Sequence, residues 1–134
     1  MIKKTIDYTW MKIYNLDKEL SLKRIKNHVW KVIGGFSIHI DRTNESIVIP
    51  NNFKTDLASI PRIAYTLFPR SDDYDLAATV HDYLYSIGKY PRKTCDLIFR
   101  DILLFSGVSK SRRNKMYWAV RLFGAKHYKK DDNV

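Results

Sequence analysis

The chain has one cysteine, Cys95, which excludes an internal disulfide and any cysteine-rich zinc site, suits a reducing compartment, and leaves the fold to be held by its core. It also lacks any uninterrupted apolar run near the roughly 20 residues that a membrane-spanning helix needs. No secretory pattern is expected at the N-terminus, where Met1, Ile2, Lys3 and Lys4 lead into the polar stretch Thr5 to Lys12 instead of an apolar segment. Internal repeats and low-complexity tracts are missing, so a single domain over residues 1–134 is expected. Acids are scarce: fourteen Asp and Glu face twenty-four Lys and Arg, a net charge of +10. Such a balance bears on partners and solubility more than on fold.

The residues that are present describe an ordinary globular protein, 45% hydrophobic and 28% charged, with eighteen aromatic residues available for a core. The charge is unevenly placed. Residues 1–35 carry +5, residues 36–88 carry −3 and residues 89–134 carry +8. A locally acidic block inside a cationic chain has the composition of a metal site, although Asp72, Asp73 and Asp75 also suit a helix N-terminus.

The first half reads as strand. Phe36, Ile38 and Ile40 alternate with Ser37, His39 and Asp41, a polar turn follows at Arg42, Thr43 and Asn44, and Ile47 and Ile49 alternate with Ser46 and Val48. That is the pattern of a β-hairpin with one wet face. Gly34 and Gly35 mark a bend before it. Residues 8–14 and 28–33 are further strand candidates. The second half reads as helix. Ser71, Asp72 and Asp73 open one that runs to Ile87 with Leu76, Ala77, Val80, Leu84 and Ile87 inward, and Gly88 ends it. A second begins at Thr94, buries Ile98, Phe99, Ile102 and Leu103, and stops at Gly107. A third begins at Ser109 to Ser111, with Met116, Ala119, Val120 and Phe123 inward and Gly124 at its end. The expected architecture is α+β, a small antiparallel sheet from the N-terminal half packed on a three-helix cluster from the C-terminal half. Residues 1–29 read as a basic extension and 125–134 as a polar, frayed tail.

Two segments hold polar residues that local structure does not require. In Phe53 to Pro61, Thr55, Asp56 and Ser59 offer oxygens beside apolar neighbours, and Asp56 could equally cap a short helical turn. In the first long helix, His81 and Tyr85 share a face at a spacing of four, while Asp82 lies about 100° round from His81. Asp96 opens the next helix. If the two helices pack antiparallel it faces Tyr85, with an axial offset from His81 of about 6 Å, so a bond to Tyr85 is the easier one and a bond to His81 a longer reach. A histidine oriented by a carboxylate can act as a general base toward water, and a neighbouring carboxylate can hold a cation that stabilises an oxyanion. The alternative is a purely structural histidine with a solvated or arginine-paired Asp82.

From Trp30 to Gly124 the chain resembles the domain-of-unknown-function 1353 family, small proteins encoded mainly by bacteriophages and prophages. The resemblance rests on Ile49-Pro50, on the run from Phe53 to Arg62, on the run from Ala77 to Tyr85, on Asp96 with Phe99, and on the run from Met116 to Gly124. It implies a phage-associated protein centred on the same acidic and histidine residues, without implying an activity. The run from Asp75 to Tyr85 is also similar to the active-site helix of phospholipase A2, especially the viral capsid form. That similarity implies His81 as general base, Asp82 as calcium ligand, Asp96 on the next helix as the group that orients His81, and Tyr85 in hydrogen-bond support. The glycine-rich calcium loop of those enzymes is absent, and Asp56 with the backbone around Leu57 would have to replace it.

Three functions follow as expectations. The first is a metal-assisted hydrolase with His81, Asp96 and Tyr85 as catalytic residues and Asp82 and Asp56 as ligands, whose hard oxygens favour Ca²⁺ or Mg²⁺. The second is a virion or assembly component, joined to other virion proteins, in which the cluster only rigidifies the fold. The third is binding of nucleic acid or an anionic membrane surface through Lys110, Arg112, Arg113, Lys115, Lys126, Lys129 and Lys130. The expected location is the host cytoplasm during infection, or the virion.

Overall fold

Alternating apolar residues build the strands of residues 1–56, the first of two compact units into which the chain divides; the second comprises residues 57–134. The computed structural model describes residues 7–8, 11–14, 20–26, 29–55 and 74–129. Among the described residues the first unit holds seven strands: β1 (Asp7–Tyr8), β2 (Met11–Tyr14), β3 (Ser21–Lys26), β4 (Val29–Ile33), β5 (Phe36–Ile40), β6 (Glu45–Ile49) and β7 (Lys54–Thr55). They form two antiparallel sheets, of order β1-β2-β5-β6 and β3-β4-β7.

The hairpin of β5 and β6 has the alternation read from its sequence. Phe36 pairs with Ile49 and Ile38 with Ile47, and all four side chains are buried together with Ile40. Each fully buried aliphatic side chain contributes about 1.5–3 kcal/mol. Val48, on the opposite face, is 60% exposed, so one face of this hairpin is wet. Asn44 turns the chain with a positive φ of 52°, a conformation that asparagine tolerates.

The single expected sheet is two, because β4 and β5, consecutive in sequence, do not pair. Gly34 and Gly35 separate them with φ of 95° and 65°, and a Cβ on Gly35 would lie 2.9 Å from both Asn51 N and Ile49 O. The residue at this position must be glycine for the chain to pass so close to the end of β6. The candidate strand at 8–14 is the pair β1 and β2, with Tyr8 opposite Met11. Strand β3 has no counterpart in the sequence reading, because Lys23, Arg24 and Lys26 mask its alternation and its register shifts between Arg24 and Lys26.

Among the described residues of the second unit three α-helices follow one another: α1 (Asp75–Ile87), α2 (Arg92–Phe105) and α3 (Lys110–Phe123). Gly88 stops α1 in the left-handed conformation, φ 62°, and its N–H donates to Leu84 O. Pro91 occupies the N-cap of α2, so this helix starts two residues before the expected Thr94. The Ser109 hydroxyl accepts from the Arg112 N–H and caps α3. The expected inward residues Ile87 and Phe123 are 37% and 51% exposed. Each is the last residue of its helix, where the apolar stripe has run beyond its cover. The opening of α1 at Ser71 to Asp73 lies outside the described residues.

The expected frayed tail is docked as far as Lys129. Residues Ala125–His127 make one 3-10 turn, the Tyr128 hydroxyl donates to Tyr90 O at 2.6 Å, and Lys129 N donates to Tyr85 O at 3.0 Å. The Tyr128 ring meets the Tyr85 ring edge-on, with centroids 5.3 Å apart. Among the described residues no helix is long and apolar enough to cross a membrane.

Candidate active site

Helix α1 positions His81 and Tyr85 one turn apart on its buried face, with ring centroids 4.1 Å apart. Helix α2 brings Asp96 up to both. One carboxylate oxygen, Oδ1, lies 2.6 Å from His81 Nε2 and accepts from the Tyr85 hydroxyl at 2.5 Å. A single oxygen between the two rings removes the axial difficulty, since it needs to reach only the midpoint of one helical turn. The side chains of His81 and Asp96 have no solvent exposure. Phe99, one turn after Asp96 on α2, packs a tilted ring 5.0 Å from that of His81.

The other oxygen of Asp96 faces two cations. Arg121 Nη1 of α3 donates to Oδ2 at 2.8 Å, and Arg92 Nη1 lies 3.6 Å away, at a spacing of four along α2. Arg92 also donates to Val120 O at 3.1 Å and to Arg121 O at 2.9 Å, so it closes the end of α3 onto the start of α2. Both arginine side chains keep part of their surface in water, 22% for Arg92 and 24% for Arg121. The buried anion is therefore neutralised by cations that are not themselves fully desolvated, which moderates the cost of a buried ion pair. Gly124, after α3, allows this closeness: a Cβ there would lie 2.5 Å from Val120 O and 3.1 Å from the Tyr85 hydroxyl.

These contacts set the protonation states. Burial holds the His81 imidazole below its ordinary value and outweighs the upward pull of the hydrogen bond and charge of Asp96. For Asp96, burial pushes toward the neutral acid, but hydrogen bonds from His81, Tyr85 and Arg121 together bring its carboxyl below the usual carboxylate range. Burial and the neighbouring carboxylate push the Tyr85 hydroxyl far up, so it remains a donor. The consistent state at neutral pH is a neutral imidazole donating Nε2–H to an ionised carboxylate. Its Nδ1 then carries a lone pair. Among the described residues Nδ1 has no hydrogen-bond partner although it is buried. Thr79 Oγ1 is likewise buried without a partner, about 200° away around α1.

His81, Tyr85 and Asp96, three of the residues expected from the sequence, thus meet at one carboxylate. Asp82 is half-buried at the neighbouring position of α1. Asp56 lies outside the described residues, and so do Leu57 and Ser59. Among the described residues no group of three or more His, Cys, Asp or Glu side chains could hold a metal ion. The donors that are described do not by themselves make a site for a divalent cation. Arg92 and Arg121 were missed. The spacing of four between Arg92 and Asp96 was a readable signal, whereas Arg121 arrives from another helix and leaves no local trace.

What the arrangement can do is accept a proton at Nδ1. A donor brought to that atom, a water or a hydroxyl, would lose its proton to an imidazole whose resulting charge is stabilised by the carboxylate on the other side of the ring. The model of the DUF1353 family, described as a protein of unknown function, matches residues 30–120. The matched segment begins in β4 and ends in α3, and it holds His81, Tyr85, Arg92 and Asp96, while Arg121 is the next residue beyond it. No curated protein and no solved structure matches the chain. With about two thirds of its length matched, the chain belongs to the DUF1353 family, whose description carries no function.

Proposed function

We propose that the protein is a phage-associated hydrolase in which His81 is the general base and Asp96 the residue that orients it. The observation that carries this reading is the Nδ1 atom of His81. Among the described residues it is buried and without a hydrogen-bond partner, on a neutral ring whose Nε2 is held by an ionised carboxylate. Leaving a buried acceptor unsatisfied costs about 1–3 kcal/mol, and a site that accepts protons is a reason to keep one. Tyr85 supports the carboxylate by donating to it, and Arg92 and Arg121 hold its second oxygen. The division of labour along the helix, His81, then Asp82, then Tyr85, with Asp96 on the next helix, matches the roles implied by the resemblance to phospholipase A2. Ester hydrolysis of a phospholipid is accordingly the reaction proposed first. Asp82, with Asp56, would be the residues that hold Ca²⁺ or Mg²⁺, and the cation would supply charge stabilisation for the oxyanion.

The test is release of fatty acid from phospholipid mixed micelles by purified protein, with Ca²⁺, with Mg²⁺ and with chelator, for wild type and His81→Gln. Release by wild type that falls at least a hundredfold in a folded His81→Gln protein is expected, the size usual for loss of a general base. Wild type that hydrolyses no phospholipid, phosphodiester or cell-wall substrate refutes the enzyme. Calorimetric titration with each cation tests the metal separately, and indistinguishable binding by wild type and Asp82→Asn excludes that ligand.

A second reading is favoured by a different observation. Arg92 ties the start of α2 to the end of α3 through two main-chain carbonyls, the arrangement of a structural brace. In a virion or assembly component the cluster would serve that end alone. His81→Gln would then lower stability and leave any activity unchanged.

A further inference from the structure

Helix α3 is apolar on two sides. Met116, Tyr117 and Val120 are buried, while Trp118 and Leu122, four residues apart, are 59% and 69% exposed. At 100° per residue Trp118 and Leu122 lie within about 40° of each other and opposite the buried stripe. Leu104 and Phe123 are further large apolar side chains exposed in this unit, at 40% and 51%. Two large apolar residues held side by side in water on a rigid helix mark a surface for contact.

The stretch of chain that carries this face has charge of one sign. No acid occurs between Ile102 and Lys130, and Lys110, Arg112, Lys115, Lys126 and Lys129 are all exposed. Lys115 precedes Trp118 by three residues and lies within about 60° of it on the wheel. We propose that the outer face of α3 is a docking surface for an anionic lipid membrane, with Trp118 and Leu122 entering the interface and the surrounding lysines meeting the headgroups. The chemistry selects this occupant over the others. Protein interfaces are depleted in lysine at their centres. A second copy of this chain seated on the same face would set like charges against each other. A nucleic acid would use the lysines but would give Leu122, the most exposed of the large apolar residues, nothing to bury it. A membrane uses both kinds of residue: anionic headgroups attract the lysines, and the headgroup level is where a tryptophan ring lies with its N–H wet and its body dry.

The proposal goes beyond hydrolysis and is tested by binding alone. Co-sedimentation is measured with vesicles of phosphatidylcholine containing phosphatidylglycerol and with vesicles of phosphatidylcholine only, at physiological salt. The double variant Trp118→Ala/Leu122→Ala changes only exposed residues, and its fold is checked by urea unfolding. Wild type is expected to bind the anionic vesicles, to bind the neutral ones at least tenfold more weakly, and to lose at least tenfold in affinity for the anionic ones in the double variant. Wild type that ignores anionic vesicles, or a double variant that binds them as well as wild type, overturns the proposal. So does a concentration-dependent dimer abolished by the same two substitutions, which would give the face to a second copy. Binding to a DNA duplex that the double variant loses in parallel also overturns it.

Discussion

Asp96→Asn should be the most damaging isosteric change in the described part of the protein, and its cost can be worked from the geometry. The carboxylate has no exposed surface. It takes His81 Nε2 and the Tyr85 hydroxyl on one oxygen, at 2.6 and 2.5 Å, and Arg121 on the other, at 2.8 Å. An amide has one oxygen and one NH₂ group. With its oxygen toward His81 and Tyr85, its NH₂ confronts Arg121 and Arg92, donor against donor. Turned over, it confronts the imidazole N–H and the phenol. Either orientation also removes the negative charge that both guanidinium groups face. Breaking a buried ionic pair by neutralising one partner costs about 3–5 kcal/mol, a fifth or more of the roughly 5–15 kcal/mol that holds a typical domain.

Urea unfolding at pH 7.5, followed by circular dichroism, should therefore show a midpoint lower by about 1–5 M, given slopes of about 1–3 kcal/mol per M. A double-mutant cycle with Arg121→Met isolates the contact, with an expected coupling of about 1–3 kcal/mol. A loss below about 1 kcal/mol, or a coupling indistinguishable from zero, would refute the description of Asp96 as the ionised centre of the cluster.

Three further outcomes follow from the same structure. Because the folded-state values of His81 and Asp96 both lie below their ordinary ones, the unfolded chain binds the extra protons as pH falls. The stability due to His81 is complete above about pH 6.5 and is lost on acidification at up to about 1.4 kcal/mol per pH unit; urea midpoints from pH 8 to 5 should fall more steeply for wild type than for His81→Gln, and equal slopes would contradict a neutral buried imidazole. Cys95 is buried with its thiol pushed up to about 12, so a thiol reagent at pH 8 should label the native protein only at the rate of opening and the urea-unfolded protein within minutes; rapid native labelling would contradict the placement. Tyr128→Phe removes the 2.6 Å bond to Tyr90 O and should cost about 0.5–1.5 kcal/mol, read by thermal unfolding; a neutral result would mean that the segment after α3 is frayed in solution.

Local pattern accounts for what was legible in the sequence. The β5–β6 hairpin carries its own period and turn, and α1 and α3 carry their own stops at Gly88 and Gly124, so each could be read within a short window. The division into two sheets could not, because whether β4 continues into β5 depends on how closely Gly35 approaches Ile49 and Asn51, residues fourteen and sixteen positions further along the chain. His81, Tyr85 and Asp96 were legible as a cluster because helical spacing and a short loop constrain them, but the sequence favoured Tyr85 over His81 as partner of Asp96, whereas one oxygen serves both. Arg121 was illegible for the opposite reason: no spacing relates it to Asp96, twenty-five residues earlier. The docked Tyr128 was hidden by the polar composition around it, since the lysines nearby describe only the wet side of the segment.

Burial and the arginines together set which member of the His81–Asp96 pair carries the charge. A histidine and an aspartate alone in a dry site are attracted as an ion pair, and a protonated imidazole has no lone pair with which to act as a base. Here the Asp96 charge is met by the bond from Arg121 and the nearby guanidinium of Arg92, so the carboxylate remains ionised without requiring a proton on His81. The positive charge of Arg92 in turn disfavours an imidazolium, adding to the effect of burial. Burial chiefly keeps His81 neutral while the bond from Arg121 helps keep Asp96 anionic, the combination that general-base chemistry at Nδ1 requires. A structural brace and a base-competent histidine are consequences of the same bonds. Separating them requires changing the ring while keeping the brace, which is why His81→Gln, with Asp96 and both arginines left in place, is the substitution that distinguishes the two readings.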